Sequence, residues 1–171
     1  MSNLVIDSRI ERDIKILEKN LSFLNVFLEG NAHNIINRSE FSEIFGGIAS
    51  AVYLSASMRI LSLCDNNQKH EDDANLYSFL SSDINKKQRL DDLLSKHKSL
   101  LATEKVRRNK MNAHTTTSSV DSIPSYEFLE LGFDILDFAI DALCISLNES
   151  DSRRESYDIQ HKKLLELIPP S

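Results

Sequence analysis

A chain of 171 residues, 41% hydrophobic and 27% charged, is long enough to bury a core and too apolar to be a disordered segment. Its 4 glycines and 3 prolines leave few places where regular structure must break, which favours long helices over a many-stranded sheet and its turns. A net charge of −6 excludes a broad basic surface for gripping nucleic acid, so any such contact must be local or shared between subunits.

From Leu4 to Leu17 the chain alternates apolar and charged residues, unlike a signal peptide. Ile10, Ile14, Leu17, Leu21, Leu24 and Leu28 then recur at three- and four-residue steps, which predicts a first amphipathic helix over about Asp7 to Leu28, closed by Gly30–Asn31. A second helix is expected from Ser39, where Ser-Glu-Phe-Ser supplies capping residues, to about Cys64. Its apolar positions, among them Phe41, Ile44, Ile48, Val52, Met58 and Leu61, cover more than one face and mark it as a central helix. Gly46–Gly47 inside it is read as a site of close packing against a neighbour, because each glycine costs about 1 kcal/mol relative to Ala.

The run Asp65 to Asn75 is a polar connection, followed by a short helical piece from Leu76 to Leu80. Asp83 can cap a third long helix running from Asn85 to residues 108–114, and Thr115 to Ser119 is a loop by composition. Ser122-Ile-Pro-Ser-Tyr-Glu starts a fourth long helix, with Pro124 in its first turn, that extends to about Leu147. Glu130, Asp134, Asp137 and Asp141 interrupt its apolar stretch, and carboxylates at about 2.5–3.5 kcal/mol each exclude a membrane span there. Asn148 to Glu155 reads as a polar linker to a short C-terminal helix (about 156–168) with apolar positions from Ile159 to Ile168, ended by Pro169–Pro170. Residues 1–171 thus form one all-α domain, an antiparallel bundle of four long helices plus short ones, with its core over about 7–147. Cys64 and Cys144 lie alone in apolar segments and read as small core residues of a protein from a reducing, cytoplasmic compartment.

The third long helix changes character along its length. Leu90, Leu93, Leu94, Leu100 and Leu101 mark a core-facing stripe whose continuation lands on His97, Glu104, Arg107/Arg108, Met111 and His114. Ionisable groups on an inward face must pair, or line a cleft or subunit interface. The structural reading is an (i, i+4) pair of Glu104 with Arg108, worth about 0.2–0.5 kcal/mol, and a histidine complementing the helix end. The chemical reading is a phosphodiester-cleaving site, because a His with a pKa near ~6.5 exchanges protons at neutral pH and Arg stabilises phosphate charge.

The run Arg108-Asn-Lys-Met-Asn-Ala-His114 resembles the Arg-(Asp/Asn)-Lys-x-x-Ala-His signature of the HEPN superfamily, above all its abortive-infection, AbiU-like branch. The resemblance spans about Phe41 to Leu147 and includes Ala56 to Asp65, which is similar to that branch's second helix with its apolar run and closing Asp. It implies a HEPN-like bundle that forms a homodimer, with two Arg…His motifs meeting in a shared cleft. It also implies a metal-independent endoribonuclease, without a cofactor, acting in antiphage or toxin–antitoxin defence. Arg108 would hold the scissile phosphate, His114 would act as general acid/base during attack by the ribose 2′-hydroxyl, and Asn109 would orient the site. Arg107, Lys105 and Lys110 would bind the strand, with Glu104 and Asp65 supporting, the latter as a helix cap or as a partner for Arg108. RNA would be the substrate, because DNA lacks the 2′-hydroxyl. The alternative is a non-catalytic helical HEPN module that binds a nucleotide, RNA or a protein partner such as an antitoxin; a plain helical interaction domain without a site is a third.

Six residues at ~100° each set Arg108 and His114 about 120° apart on a straight helix, so they converge only if the helix ends or bends, or if a second copy supplies one. Arg107 lies nearer the face of His114 and rivals Arg108 for the phosphate. Of the other groups, His70-Glu71-Asp72-Asp73 lacks the spacing of a metal site, and His97 reads as a structural histidine. The row Glu127, Glu130, Asp134, Asp137 and Asp141 reads as a solvated face, the alternative being that part of it pairs with the basic cluster. No membrane partner is expected.

Overall fold

The computed structural model describes residues 8–29, 34, 42–66, 75–113, 125–145 and 147–167, and these contain seven helices and no strand. They are α1 (Ser8–Leu28), α2 (Ser42–Leu63), α3 (Leu76–Phe79), α4 (Ile84–Lys96), α5 (Lys98–Ala113), α6 (Tyr126–Ala142) and α7 (Leu147–Glu166). The all-α class follows directly.

The periodic stripe of α1 forms the centre of the core: Ile10, Ile14, Leu17, Leu21 and Leu24 are all buried. This helix packs against α2, α6 and α7, so α1 rather than α2 holds the central place that the sequence assigned to the second helix. The reason lies in buried polar groups that hydrophobic patterning does not register. Asp13, Glu18 and Ser22 of α1 are also buried. Their partners arrive from neighbouring helices: Arg59 of α2 lies 3.0 Å from Asp13, Arg153 of α7 grips Glu18 at 2.8 and 3.1 Å, and Ser22 bonds Asp158 and His161 of α7.

Those contacts also revise the C-terminus. The polar run 148–155 is no linker but lies within the 20-residue helix α7, because its arginines have places to go. Arg153 meets Glu18, and Arg154 lies 2.7 Å from Asp137 with its guanidinium over the Phe133 ring.

On α2, Tyr53, Ala56, Ser57 and Ile60 face the core, while Ile44, Ile48 and Met58 are 60%, 41% and 40% exposed. It is the one helix among the described residues long and apolar enough to cross a membrane. Gly46 and Gly47 are not contact points: a Cβ at either would meet nothing within 4 Å. The close approach occurs instead at Gly132 of α6, where a Cβ would lie 2.5 Å from Leu21 Cδ2. The lack of a side chain there lets α1 and α6 meet.

The cap expected at Asp83 forms on α4, and α3 carries one that the sequence reading did not mark. Asn75 and Ser78 form a reciprocal capping box on α3, and Asp83 accepts from the Lys86 amide at 3.0 Å. The helix expected to run unbroken from Asn85 to the Arg…His motif is instead two, separated at His97 (φ −105°, ψ 17°). No proline or glycine marks this break. The buried His97 imidazole reaches Asp134 of α6 at 2.8 Å, and that tertiary bond is what rewards the departure from helical geometry.

The fourth long helix starts at Tyr126, capped by Ser125, within the Ser122–Glu127 run expected to open it, and it stops at Ala142 rather than near Leu147; Ser122 and Pro124 lie outside the described residues. There the chain closes in a Schellman arrangement, with the Ile145 amide donating to the Ile140 carbonyl at 3.0 Å and Cys144 at φ 54°. Cys144 is exposed rather than a core residue, whereas Cys64 is half-buried against the core and desolvation pushes its thiol up to about 12; both are free. An L-residue at Cys144 costs about 1–2 kcal/mol in the left-handed region. Cys144→Gly is therefore expected to raise the melting temperature in a thermal unfolding scan, with a gain of about 1 kcal/mol. A lower melting temperature would contradict strain at this position.

Candidate functional site

Helix α5 is held against α2 by one buried carboxylate. Glu104 is 1% exposed and accepts hydrogen bonds from the Tyr53 hydroxyl at 2.6 Å, the Ser57 hydroxyl at 2.6 Å and the Arg107 guanidinium at 2.8 Å. The spacing that delivers them is helical on both sides: Tyr53 and Ser57 are one turn apart on α2, and Glu104 and Arg107 one turn apart on α5. Burial pushes the Glu104 carboxyl up, and the Ser57 hydrogen bond offsets part of that displacement. Below this cluster the Tyr53 ring meets Phe128 of α6 edge-on with centroids 4.5 Å apart, and the Arg107 guanidinium lies 5.1 Å from the Tyr53 ring centre.

This geometry separates the two adjacent arginines. Glu104 pairs with Arg107 at (i, i+3) rather than with Arg108 at (i, i+4). Arg107 also donates to the Tyr53 hydroxyl, so its guanidinium serves the bundle and is a poor rival for a phosphate. Arg108 is half-buried and makes no ion pair among the described residues. Asn109 and Lys105 are exposed on the same helix. The side chain of Lys110 and all of His114 lie outside the described residues, and helix α5 is described as far as Ala113. Asp65 lies just beyond the end of α2, between Cys64 and Asn66, which both line a cavity beside α5.

A second cluster gathers at the α4–α5 junction. Asp134 accepts from His97 Nε2 at 2.8 Å and from Lys96 at 3.0 Å, and Glu130 accepts from Lys96 at 2.8 Å. His97, Glu130 and Asp134 offer atoms within 4.8 Å of one another, a spacing open to a metal ion, but the Lys96 ammonium already supplies a cation to both carboxylates. Burial pushes the Asp134 carboxyl up, and the hydrogen bonds from His97 and Lys96 outweigh it, so the net displacement is downward. Two more members of the acidic row are paired, Asp137 with Arg154 and Asp141 with Arg89. Partners from α4, α7 and the junction thus take the place of the basic cluster on α5. The run 70–73, set aside as a metal site from its spacing, lies outside the described residues.

Tyr53 and Ser57 are the site residues that sequence reasoning missed. Their signal is a hydroxyl pair four residues apart on the buried face of an otherwise apolar helix, facing a helix that carries a carboxylate on its own buried face. Comparison with protein-family models, with curated protein sequences and with solved structures finds no match to this chain.

Two outcomes test this geometry. Glu104→Ala leaves two hydroxyls and a guanidinium without their acceptor and is expected to destabilise the fold by about 3–5 kcal/mol in urea titration; a cost under about 1 kcal/mol, the range of an exposed pair, would show that the carboxylate is not buried in solution. Asp134 stabilises the fold above the ordinary carboxylate pKa, and its contribution is lost as pH falls through its depressed pKa. The stability difference between the wild type and Asp134→Asn should therefore shrink between about pH 5 and pH 2, and a difference that stays constant over that interval would contradict the His97–Asp134 contact.

Proposed function

We propose that this protein is a HEPN-type endoribonuclease, working without a metal ion as a homodimer in antiphage or toxin–antitoxin defence in the cytoplasm. The observation that carries the reading is the division of labour on α5. Arg107 is engaged by Glu104 and Tyr53, while Arg108 has no carboxylate partner among the described residues and stands six positions before His114. A guanidinium without an internal partner is the one available for a phosphate. The helix is described to Ala113, one residue before His114. In this reading α1, α2, α5 and α6 make up the antiparallel HEPN-like bundle, with α4 as the segment that leads into the motif helix and α7 as an added layer on α1.

The chemistry follows from the residues. Arg108 binds the non-bridging oxygens of the scissile phosphate, and Asn109 orients the group beside it. His114 withdraws the proton of the ribose 2′-hydroxyl as that oxygen bonds to phosphorus. The bond from phosphorus to the 5′-oxygen breaks, and a protonated imidazole, supplied by the second copy, returns a proton to the leaving oxygen. The products are a 2′,3′-cyclic phosphate and a 5′-hydroxyl end. Lys105 and Lys110 add positive potential near the strand, doubled in a dimer, which offsets the acidic total.

The reading predicts cleavage of single-stranded RNA in the presence of EDTA, with loss of about 10²–10⁴-fold in rate for His114→Ala while its melting curve stays that of the wild type. Unreduced cleavage by that variant removes the assignment. RNA binding that is abolished by Arg108→Ala, with no cleavage by any form, would instead identify a non-catalytic module that recognises RNA.

A further inference from the structure

Three groups able to ligate a metal converge where the α4–α5 junction meets α6. Glu130 and Asp134 stand one turn apart on α6, and the His97 imidazole reaches them from the junction. One nitrogen and two carboxylate oxygens, one atom from each residue, lie within 4.8 Å of one another. The His97 side chain is only 8% exposed, whereas those of Glu130 and Asp134 are 57% and 34% exposed. The group is therefore backed by protein at the imidazole and open to water at the carboxylates. A cation already stands between those carboxylates: the Lys96 ammonium lies 2.8 Å from Glu130 and 3.0 Å from Asp134. Asp134 Oδ2 serves both neighbours, His97 Nε2 and Lys96. With the imidazole neutral, two carboxylates against one ammonium leave a negative charge uncompensated. Arg154 and Arg89 are engaged with Asp137 and Asp141.

We propose that this group is a zinc site, in which the ion replaces the Lys96 ammonium and is held by His97 Nε2, Glu130 and Asp134. A divalent ion cancels both carboxylate charges, where the ammonium cancels one. Zinc takes imidazole nitrogen and carboxylate oxygen at about 2.0–2.2 Å, and three protein ligands with water in the fourth position make a complete tetrahedron. Ligand atoms in such a tetrahedron stand about 3.3–3.5 Å apart, so Glu130 closes in while the 2.8 Å contact of His97 with Asp134 opens. The carboxylates, as the more exposed side chains, make these adjustments around a fixed imidazole. Nε2 must offer its lone pair to the ion, so the ring proton sits on Nδ1 in the zinc-bound form. Lys96 is 56% exposed, and its four-carbon stem lets the ammonium swing into water. Magnesium and calcium favour oxygen ligands throughout, so the imidazole selects against them. The ion ties the start of α5 to α6, about 16 Å along the helix from Arg108. It takes no part in the proposed RNA chemistry, and neither proposal depends on the other.

Zinc chloride is titrated by calorimetry into the full chain, first stripped with EDTA and dialysed, with magnesium as the control. Zinc is expected to bind with a Kd below about 100 μM, and magnesium not to bind over the same range. Cobalt(II) in place of zinc should give the intense visible absorption of a tetrahedral ion. Glu130→Gln and His97→Gln should each weaken zinc by about tenfold or more. Glu130 is exposed, so its variant keeps the fold and decides the matter if His97→Gln unfolds. Lys96→Met removes the competing ammonium and should tighten zinc by about threefold or more. Zinc held elsewhere on the surface would be indifferent to both Glu130 and Lys96. The inference is overturned if zinc binds more weakly than about 100 μM, if Glu130→Gln binds it as the wild type does, or if Lys96→Met fails to tighten it. Zinc binding that follows this pattern in a chain that never cleaves RNA upholds this inference and removes the ribonuclease assignment, whereas cleavage in EDTA by a chain that binds no zinc does the reverse.

Discussion

The buried carboxylate of Glu104 is the constraint on which the arrangement of the motif-bearing helix depends. A carboxylate that is 1% exposed is tolerable only with donors around it, and Tyr53, Ser57 and Arg107 supply three. These bonds fix both the rotation of α5 about its axis and its height along α2. Rotation decides which residues face outward: with Glu104 and Arg107 turned to α2, Lys98, Ala102 and Lys105 are carried to the cavity side and Arg108 lies between. Hydrophobic contacts alone would permit small rotations of the helix; a three-donor network does not.

The His97–Asp134 bond sets the other end of the same helix. The helix ends at Lys96 and restarts at Lys98, with His97 out of helical geometry between them, so α5 is a separate helix anchored at its start. Lys96 and Glu130 complete this junction in a more exposed setting, where the pairs contribute less than the buried bond does. Two polar anchors, one at the start of α5 and one in its middle, therefore hold a helix whose own sequence carries little apolar surface beyond Leu100 and Leu101.

Helix α1 and the capped helices were legible in the sequence because their signals are local. The stripe from Ile10 to Leu24 and the cap at Asp83 need no knowledge of distant residues. The misreadings share the opposite property. The break at His97, the helical run 148–155 and the central place of α1 each depend on a polar partner supplied by a helix far away in the chain: Asp134, Glu18 and Arg153 respectively. The stripe on α5 correctly marked Glu104 as inward, but its partner was read as Arg108, since (i, i+3) and (i, i+4) pairs are equally open until the facing helix is known. The pair Tyr53 and Ser57 makes that choice, and a hydrophobic pattern passes over both.

The central claim is that adjacent arginines on α5 do different work, Arg107 for the fold and Arg108 for a phosphate. The most direct test measures the melting temperature and RNA affinity of Arg107→Ala and Arg108→Ala on the same preparations, well below the melting temperature of either. Arg107→Ala is expected to melt lower yet hold RNA as the wild type does, and Arg108→Ala to melt as the wild type does yet lose the RNA. The reverse pattern, or equal losses of both properties in both variants, would contradict the account.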